Sequence, residues 1–210
     1  MKSNELEFEI PHTPLCRICG IDEAGRGPLA GPVTAAALII PDDFPIELLK
    51  DSKKLSAQKR DELTILIMNN ALDFSIGWVW ENEIDVINIH NASLLAMKRA
   101  FEGLHKKCEI EIALADGKYK PDLPVPVRAE IKGDDRFPSI MGASILAKTA
   151  RDRWMIRYSW IEDRYAYEKH KGYPTKEHAR RYYLHGPSPI QRMSFNVPYK
   201  DDFLKPDAEA

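Results

Sequence analysis

Apolar positions change their spacing several times along the chain, and these changes predict alternating strands and helices. Continuous or alternating apolar runs predict strands over residues 15–22, 33–40, 74–80, 109–115 and 125–131. Apolar residues at helical spacing predict helices over residues 57–69, 88–107, 139–158 and 175–184. Glycines and prolines in residues 25–32 predict a tight link between the first two strands. The pattern favours an α/β fold in which helices cover a sheet of mixed strand direction.

The length and composition predict one globular domain with a sizeable core. The chain has 210 residues, of which 44% are hydrophobic and 30% are charged. Its longest mainly apolar run, residues 33–40, is far shorter than the roughly 18 to 20 residues that cross a bilayer. The N-terminus carries acidic residues and has no apolar stretch typical of a secretory signal. We therefore expect a cytoplasmic protein that does not associate with membranes.

The charges are unevenly distributed, although the net charge is only −2. Residues 128–200 hold 15 basic and 8 acidic side chains, whereas residues 1–127 hold 14 and 20. A basic segment suits either a polyanion or ion pairs between its own helices, and the sequence leaves both readings open. The three cysteines cannot all pair with one another, and Cys16 and Cys19 lack the two further ligands that a structural zinc site needs.

Four acidic side chains stand where predicted buried elements end. They are Asp22 and Glu23 after the first strand, Asp116 after the fourth strand and Asp134 before the long helix. If the first and fourth strands are neighbours, these carboxylates come close together and raise one another's pKa. Mg²⁺ and Mn²⁺ relieve such repulsion because they prefer oxygen ligands. Any single acid could instead cap a turn or a helix, but four together favour a metal site.

Glycine, aromatic and basic residues near these acids suit a phosphate backbone. Gly25 and Gly27 let backbone groups approach a ligand, and Arg26 can meet a phosphate, although a plain hairpin link would need the same glycines. Tyr173, in the loop 170–175, has a ring that can stack on a sugar or base. Further positive charge that could follow a nucleic-acid backbone comes from Lys148, Arg151, Arg153, Arg180, Arg181 and Arg192.

Seven segments resemble, in order, the motifs of ribonuclease HII, the type 2 ribonucleases H. They are GIDEAGRGPLAGPV (20–33), DSKKL (51–55), INIHNASLLAMKRAF (87–101), ADG (115–117), KGDDRFPSIMGASILAKTARDRWM (132–155), HKGYPTKEH (170–178) and HGPSPIQRMSF (185–195). The resemblance implies an RNase H-like fold, with a five-stranded mixed sheet flanked by helices and a small helical C-terminal region. We predict an N-terminal extension (1–14), a catalytic domain (15–160), a helical region packed on it (161–197) and an extended or disordered tail (198–210).

The resemblance also implies a divalent-metal-dependent endonuclease. Its substrates would be RNA/DNA hybrids and duplex DNA containing single ribonucleotides, as in ribonucleotide excision repair and RNA primer removal. The cut would lie on the 5′ side of the ribonucleotide and leave a 3′-hydroxyl and a 5′-phosphate. Two ions, Mg²⁺ or Mn²⁺, would act with the substrate bound, one activating a water and the other stabilising the leaving 3′-oxygen.

Individual residues inherit expected roles from the resemblance. The catalytic carboxylates and metal ligands would be Asp22, Glu23, Asp116 and Asp134. The residues that sense the 2′-hydroxyl through backbone groups would be Gly25, Arg26 and Gly27. Tyr173 would pack on the neighbouring deoxyribose. The residues near substrate phosphates would be Lys53, Ser144 and Lys148.

Some positions depart from the family pattern, and two other readings compete with it. Asp135 follows Asp134, Met141 and Gly142 replace a common alanine pair, and Gln191 stands where histidine is frequent. A ribonuclease HIII-like nuclease would have a long N-terminal domain and no GRG turn, whereas about 14 residues precede the first predicted strand here. A non-catalytic nucleic-acid-binding domain of this fold should have lost one or more acids. We expect a monomer, and residues 201–210 lack a glutamine-led, double-aromatic motif for a sliding clamp.

Overall fold

Helices flank both faces of a five-stranded mixed sheet in the computed structural model, which describes residues 14–49 and 56–203. The strands are β1 (Ile18–Ala24), β2 (Val33–Ile39), β3 (Asp73–Val79), β4 (Ile112–Asp116) and β5 (Val127–Glu130). The helices are α1 (Ala57–Asn70), α2 (Glu81–His105), α3 (Pro138–Ser159), α4 (Tyr167–His170), α5 (Lys176–His185) and α6 (Lys200–Phe203). The predicted α/β class and mixed sheet are confirmed.

The sheet has the strand order β3-β2-β1-β4-β5. Strands β1 and β2, which the short link of residues 25–32 joins, pair antiparallel. Strand β3 also pairs antiparallel with β2, whereas β1, β4 and β5 pair parallel. Helix α2 carries the chain from β3 across the sheet to β4, and this crossover allows β4 to pair parallel with β1. The first and fourth predicted strands are therefore neighbours, and both run toward the same edge of the sheet.

Strand β2 is buried on both faces, which explains its continuous apolar run. Ala35 and Ala37 belong to the core beneath α2, together with Phe101 of that helix. Ala36 and Leu38 belong to the core beneath α1 and α3. Small side chains at three of these four positions let the helices lie close to the sheet, and the acidic edge of the sheet is supported from both sides.

Helix α2 begins at Glu81, well before the predicted start at residue 88. The extra turns were missed because the chain is interrupted at Asn88, whose φ of 65° is not helical. The side chain of Glu83 accepts a hydrogen bond of 3.2 Å from the Trp80 backbone N–H and caps the early start. The apolar periodicity of the sequence predicted only the part of α2 after Asn88, because that part packs against the sheet.

Other boundaries differ at the ends of elements. Residues Leu15–Arg17 form a 3-10 turn before β1, and β4 begins at Ile112 instead of residue 109. The short helices α4 and α6 were not predicted, because four residues are too few to show a period. Helix α6 lies within the segment that we predicted to be an extended or disordered tail, so that prediction is wrong for residues 200–203.

The C-terminal region packs against α3 through a small apolar cluster. Its buried members are Ala30, Met155, Tyr165, Tyr167 and Ile190. Thr175 caps α5 as predicted, since its hydroxyl accepts a hydrogen bond from the His178 backbone N–H at 3.2 Å. The predicted domain boundaries stay a prediction. None of the helices in the described ranges is long and apolar enough to cross a membrane.

Candidate active site

Asp22 and Asp116 lie side by side at the carboxyl ends of the neighbouring strands β1 and β4. The parallel register pairs Ile21 of β1 with Ala115 of β4, so the next residue of each strand carries one of the two acids. Neighbouring strands lie about 4.8 Å apart. Asp22 is only 5% exposed. The pairing of two strands far apart in sequence therefore produces the acidic pair.

A tight turn after β5 holds the Asp116 carboxylate and brings up Asp134. Residues Gly133–Asp135 form a single 3-10 turn. The Gly133 backbone N–H donates to Asp116 Oδ1 at 2.8 Å, and the Asp134 backbone N–H also hydrogen-bonds this carboxylate. Asp134, directly after the glycine, thus stands beside the strand-end acids, while Asp135 is exposed.

The pKa values of Asp22 and Asp116 are raised, as the sequence led us to expect. Burial raises the pKa of Asp22 well above its usual range, and the charges of Glu23 and Asp116 raise it further. Burial also raises the pKa of Asp116, and the charge of Asp134 adds to that rise. A hydrogen bond from the Ser144 side chain lowers the pKa of Asp22 in part. Asp22 and Asp116 therefore disfavour being ionised together when no cation is bound.

Glu23, the residue after Asp22 on β1, lies close enough to Asp116 for the two charges to interact. Burial raises its pKa, whereas the neighbouring Arg26 lowers it. Arg26 Nη1 donates to Glu23 Oε1 at 3.2 Å, and nearly half of the Arg26 side chain is exposed. Arg26 is therefore tied to the acidic group and still reaches solvent, where a phosphate can contact it.

These acids do not close around a metal ion by themselves. Over residues 14–49 and 56–203, no three His, Cys, Asp or Glu side chains form a ready-made metal cage. That agrees with the behaviour of Mg²⁺, which keeps several waters and is usually held by one or two carboxylates together with substrate phosphates. The oxygen-only donors and the raised pKa of Asp22 fit such a cation, which would neutralise their mutual repulsion.

The GRG turn, defined here as residues 25–27, is held from behind by a buried arginine. The Arg192 guanidinium is fully buried, and it donates to the backbone carbonyls of Gly25 (2.7 Å), Arg26 (3.1 Å), Pro28 (2.8 Å) and Gly31 (2.8 Å). Burial, together with the charge of a neighbouring arginine, lowers the pKa of Arg192 to about 9, so it stays charged at neutral pH. The sequence did not reveal this role.

Arg151 is the neighbouring arginine and supports the next part of the same segment. Its guanidinium donates to the carbonyls of Ala30 (3.0 Å), Pro32 (2.8 Å) and Lys171 (3.0 Å). Gly25 has a φ of +96°, and a Cβ there would lie 2.2 Å from Arg151 Nε, so this position requires glycine. The two arginines therefore fix the shape of the loop that follows the catalytic strand.

The predicted basic surface is smaller than the sequence suggested. Arg151 and Arg192 are buried and cannot follow a nucleic-acid backbone, so that expectation was wrong for both. Three other arginines of the predicted basic surface form ion pairs: Arg153 with Asp61 (2.7 Å), Arg180 with Glu177 (3.1 Å) and Arg181 with Glu177 (2.6 Å). Much of the basic excess in residues 128–200 is thus paired within the chain, which was the second of the two readings.

Tyr173 and Lys148 lie together beside the GRG turn. The Tyr173 ring lies next to Gly27, and Lys148 Nζ stands 5.1 Å from the ring centroid. Lys148 also donates to Asp152 at 2.8 Å. Ser144 hydrogen-bonds Asp22, and its expected position near substrate phosphates stays a prediction. Lys53 lies outside the described residues.

The mixed sheet with acids at the carboxyl ends of β1 and β4 defines a hydrolase of the ribonuclease H-like class. A family model described as Ribonuclease HII matches residues 19–197 of the chain. The chain belongs to the ribonuclease HII family, and it is a type 2 ribonuclease H that acts as an endonuclease.

Individual relatives agree with this assignment. A protein named Ribonuclease HII from Treponema denticola is 52% identical over 195 residues, covering 86% of this chain and 98% of that protein. Another of that name, from Caldicellulosiruptor saccharolyticus, is 50% identical over 178 residues, covering 85% and 86%. A chain in the structure of the PCNA:RNase HII complex from Archaeoglobus fulgidus has a TM-score of 0.72 and 28% identity, covering 89% of this chain and 100% of that chain. The resemblance that the sequence suggested is confirmed.

Proposed function

We propose that this chain cleaves the RNA strand of RNA/DNA hybrids and nicks duplex DNA on the 5′ side of single ribonucleotides. The cleavage would leave a 3′-hydroxyl and a 5′-phosphate. The observation that carries the proposal is the β1–β4 register, which sets Asp22 beside Asp116 at the sheet edge. Such an edge, next to a glycine-built turn, is where α/β folds form their sites. Family membership supports the substrate class.

The metal ligands in this proposal are Asp22, Glu23, Asp116 and Asp134, and the ion is Mg²⁺ or Mn²⁺. The donor set supports a hard divalent cation because every ligand atom is a carboxylate oxygen. When bound, a pair of such cations supplies activation of the attacking water and stabilisation of the leaving oxygen. The chain itself contributes the positions of the four carboxylates and the hydrogen bonds that orient Asp22 and Asp116.

The GRG turn and its neighbours would read the substrate. The backbone carbonyls of residues 25 and 26 point toward Arg192. Because the C=O and N–H of a planar peptide point in opposite directions, the N–H groups of residues 26 and 27 would face a bound ribose. A 2′-hydroxyl that contacts this turn separates RNA from DNA. Tyr173, beside Gly27, would pack on the neighbouring deoxyribose, and Lys148 and Arg26 would contact phosphates. Positions of Lys53 and Ser144 near substrate phosphates, and a monomeric state, remain part of the proposal.

A nicking assay tests the proposal most directly. The substrate is an end-labelled DNA duplex containing one ribonucleotide, incubated with Mg²⁺, with Mn²⁺ or with EDTA, and compared with an all-DNA duplex. We expect one cut on the 5′ side of the ribonucleotide with either metal and none with EDTA. Ligation and phosphatase treatment identify the product ends. Uncut duplex under both metals would refute the proposed function.

A further inference from the structure

A pocket opens between α2 and the end of β4, next to the acidic group. Glu23, Arg26 and Asp116 line one side of it. Its floor comes from α2, where Met97 is buried. If a substrate phosphate binds at the carboxylates, the adjacent nucleotide of the same strand lies near this pocket. The other residues that line the pocket can therefore contact that nucleotide.

An aromatic pair forms that opposite side. The rings of His90 and Tyr119 meet edge to face, with centroids 4.4 Å apart and planes inclined at 73°. Tyr119 is 58% exposed, so the His90 contact fixes the ring while much of its surface remains open to solvent. Gly117, with a φ of +97°, turns the chain sharply after Asp116 and carries Tyr119 over α2.

The charges around the pair complement a nucleotide. Arg26, on the acidic side, and Lys118, next to Tyr119 in the chain, both line the pocket. Cationic side chains on either side of an exposed ring are the arrangement by which proteins hold a strand, since the cations meet phosphates and the ring meets a base. Tyr173 belongs to a different place, because it lies beside Gly27 and Lys148 and does not line this pocket.

We infer that His90 and Tyr119 form a stacking subsite for the nucleobase of a nucleotide flanking the scissile phosphate. The inference rests on the proposed function, because it takes the carboxylates as the place of cleavage. Stacking on an aromatic face tolerates any base, so the subsite would add affinity without adding sequence preference. Tyr119 would contact the base, and His90 would hold the Tyr119 ring in position.

A plain packing role for the two rings makes different predictions. If they only cover the floor of the pocket, their replacement lowers the melting temperature and affects all substrates equally. A stacking role couples Tyr119 to one base of the substrate. Removal of that base and removal of the ring should then not be additive.

The test is a cycle between protein variants and abasic substrates. Tyr119→Leu removes the ring, Tyr119→Phe keeps it, and His90→Leu removes its support. Trp160→Leu, which alters an exposed aromatic side chain at the far end of α3, is the matched control. Each variant is assayed on a short hybrid and on hybrids with one abasic nucleotide at successive positions around the cut. Binding of the same set is measured by fluorescence anisotropy in EDTA, which requires no cleavage.

For the intact hybrid, we expect Tyr119→Leu to raise KM and the dissociation constant about tenfold, the effect of one stacked base. Tyr119→Phe and Trp160→Leu should resemble the wild type, and His90→Leu should fall between. An abasic nucleotide at one position should weaken binding to the wild type by the same factor. The same abasic nucleotide should not change binding to Tyr119→Leu.

The inference would be overturned if Tyr119→Leu bound every hybrid, intact or abasic, more weakly than the wild type by the same factor. It would also be overturned if Tyr119→Leu bound all of them with wild-type affinity. A wild type that binds the hybrid but does not cut it under either metal would count against the proposed function, while the binding cycle would still decide the subsite.

Discussion

Arg192 and Gly25 are joined by a hydrogen bond of 2.7 Å from the buried guanidinium to the backbone carbonyl. The same guanidinium binds three further carbonyls of the loop, at Arg26, Pro28 and Gly31. A planar peptide points its C=O and N–H in opposite directions. Carbonyls that turn inward toward Arg192 therefore leave amide groups facing the substrate side. One side chain from the C-terminal region thus shapes the turn that follows the catalytic strand.

Arg192→Lys should reduce nicking at a single ribonucleotide by roughly a hundredfold, because small misplacements of a positioning element cost about that much. The lysine keeps the charge but cannot reach four carbonyls at once. Binding preference for ribonucleotide-containing over all-DNA duplex, measured by anisotropy, should fall with the rate. Arg180→Lys, an exposed change in α5, is the control. An unchanged ribonucleotide preference would remove the turn-shaping role.

Asp116→Asn should lower the cleavage rate on the order of a thousandfold, since loss of a metal-binding carboxylate removes several kcal/mol of transition-state stabilisation. The asparagine side-chain oxygen can still accept the hydrogen bond that Gly133 donates at 2.8 Å, so the fold and hybrid binding should persist. Thermal melts and anisotropy check both. Asp122→Asn removes an exposed acid paired with Lys98 and serves as control. Activity within tenfold of the wild type would exclude Asp116 from the site.

Local periodicity predicted the strands and long helices because each buries at least one face. Strand β2, buried on both faces, and the later part of α2 show the clearest patterns. The β1–β4 register was not readable, because it joins residues that lie far apart in sequence, such as Ile21 and Ala115. From the sequence we could predict only that Asp22 and Asp116 would lie close together if β1 and β4 were neighbours.

Buried arginines were the largest error in the reading of the site, because a sequence shows charge and not burial. Arg151 did leave a signal, since it lies four residues after Ala147 and four before Met155, both buried on α3. Its position on that stripe indicates burial despite its charge. Arg192 carries no such pattern, because it lies in irregular structure after α5. Gln191 beside it is also buried, and its side-chain amide hydrogen-bonds no described residue.

Tyr173→Ala should weaken cleavage more at single ribonucleotides than on long hybrids. The ring lies beside Gly27 at the turn, where a single ribonucleotide is followed by deoxyribose. We expect about a tenfold greater loss on the single-ribonucleotide duplex, the contribution of one stacked ring. Tyr173→Phe should restore most of the difference, because it keeps the ring. The ratio of kcat/KM for the two substrates is the measurement, and an unchanged ratio would contradict a junction-sensing role.

His178 supports the Tyr173 loop from the interior and should make stability depend on pH. Its Nδ1 lies 3.1 Å from the Tyr173 carbonyl oxygen, and its ring stacks on His170 with centroids 4.5 Å apart. His178 is fully buried, and its Nε2 hydrogen-bonds no residue in the described part of the chain. Burial, together with the neighbouring His170, lowers the pKa of His178 to about 4. Burial also lowers the pKa of His170.

Because the folded-state pKa of His178 is lowered from its ordinary value of 6.5 to about 4, the unfolded chain takes up the proton first as the pH falls. The stabilisation is complete above pH 6.5 and is lost progressively toward pH 4, by up to about 3 kcal/mol. Urea unfolding across this interval measures it. His178→Asn keeps a polar group near the Tyr173 carbonyl and does not titrate, so its free energy of unfolding should vary less with pH. His105→Asn, on an exposed residue, should follow the wild type. A slope in His178→Asn equal to that of the wild type would mean that another group binds the proton.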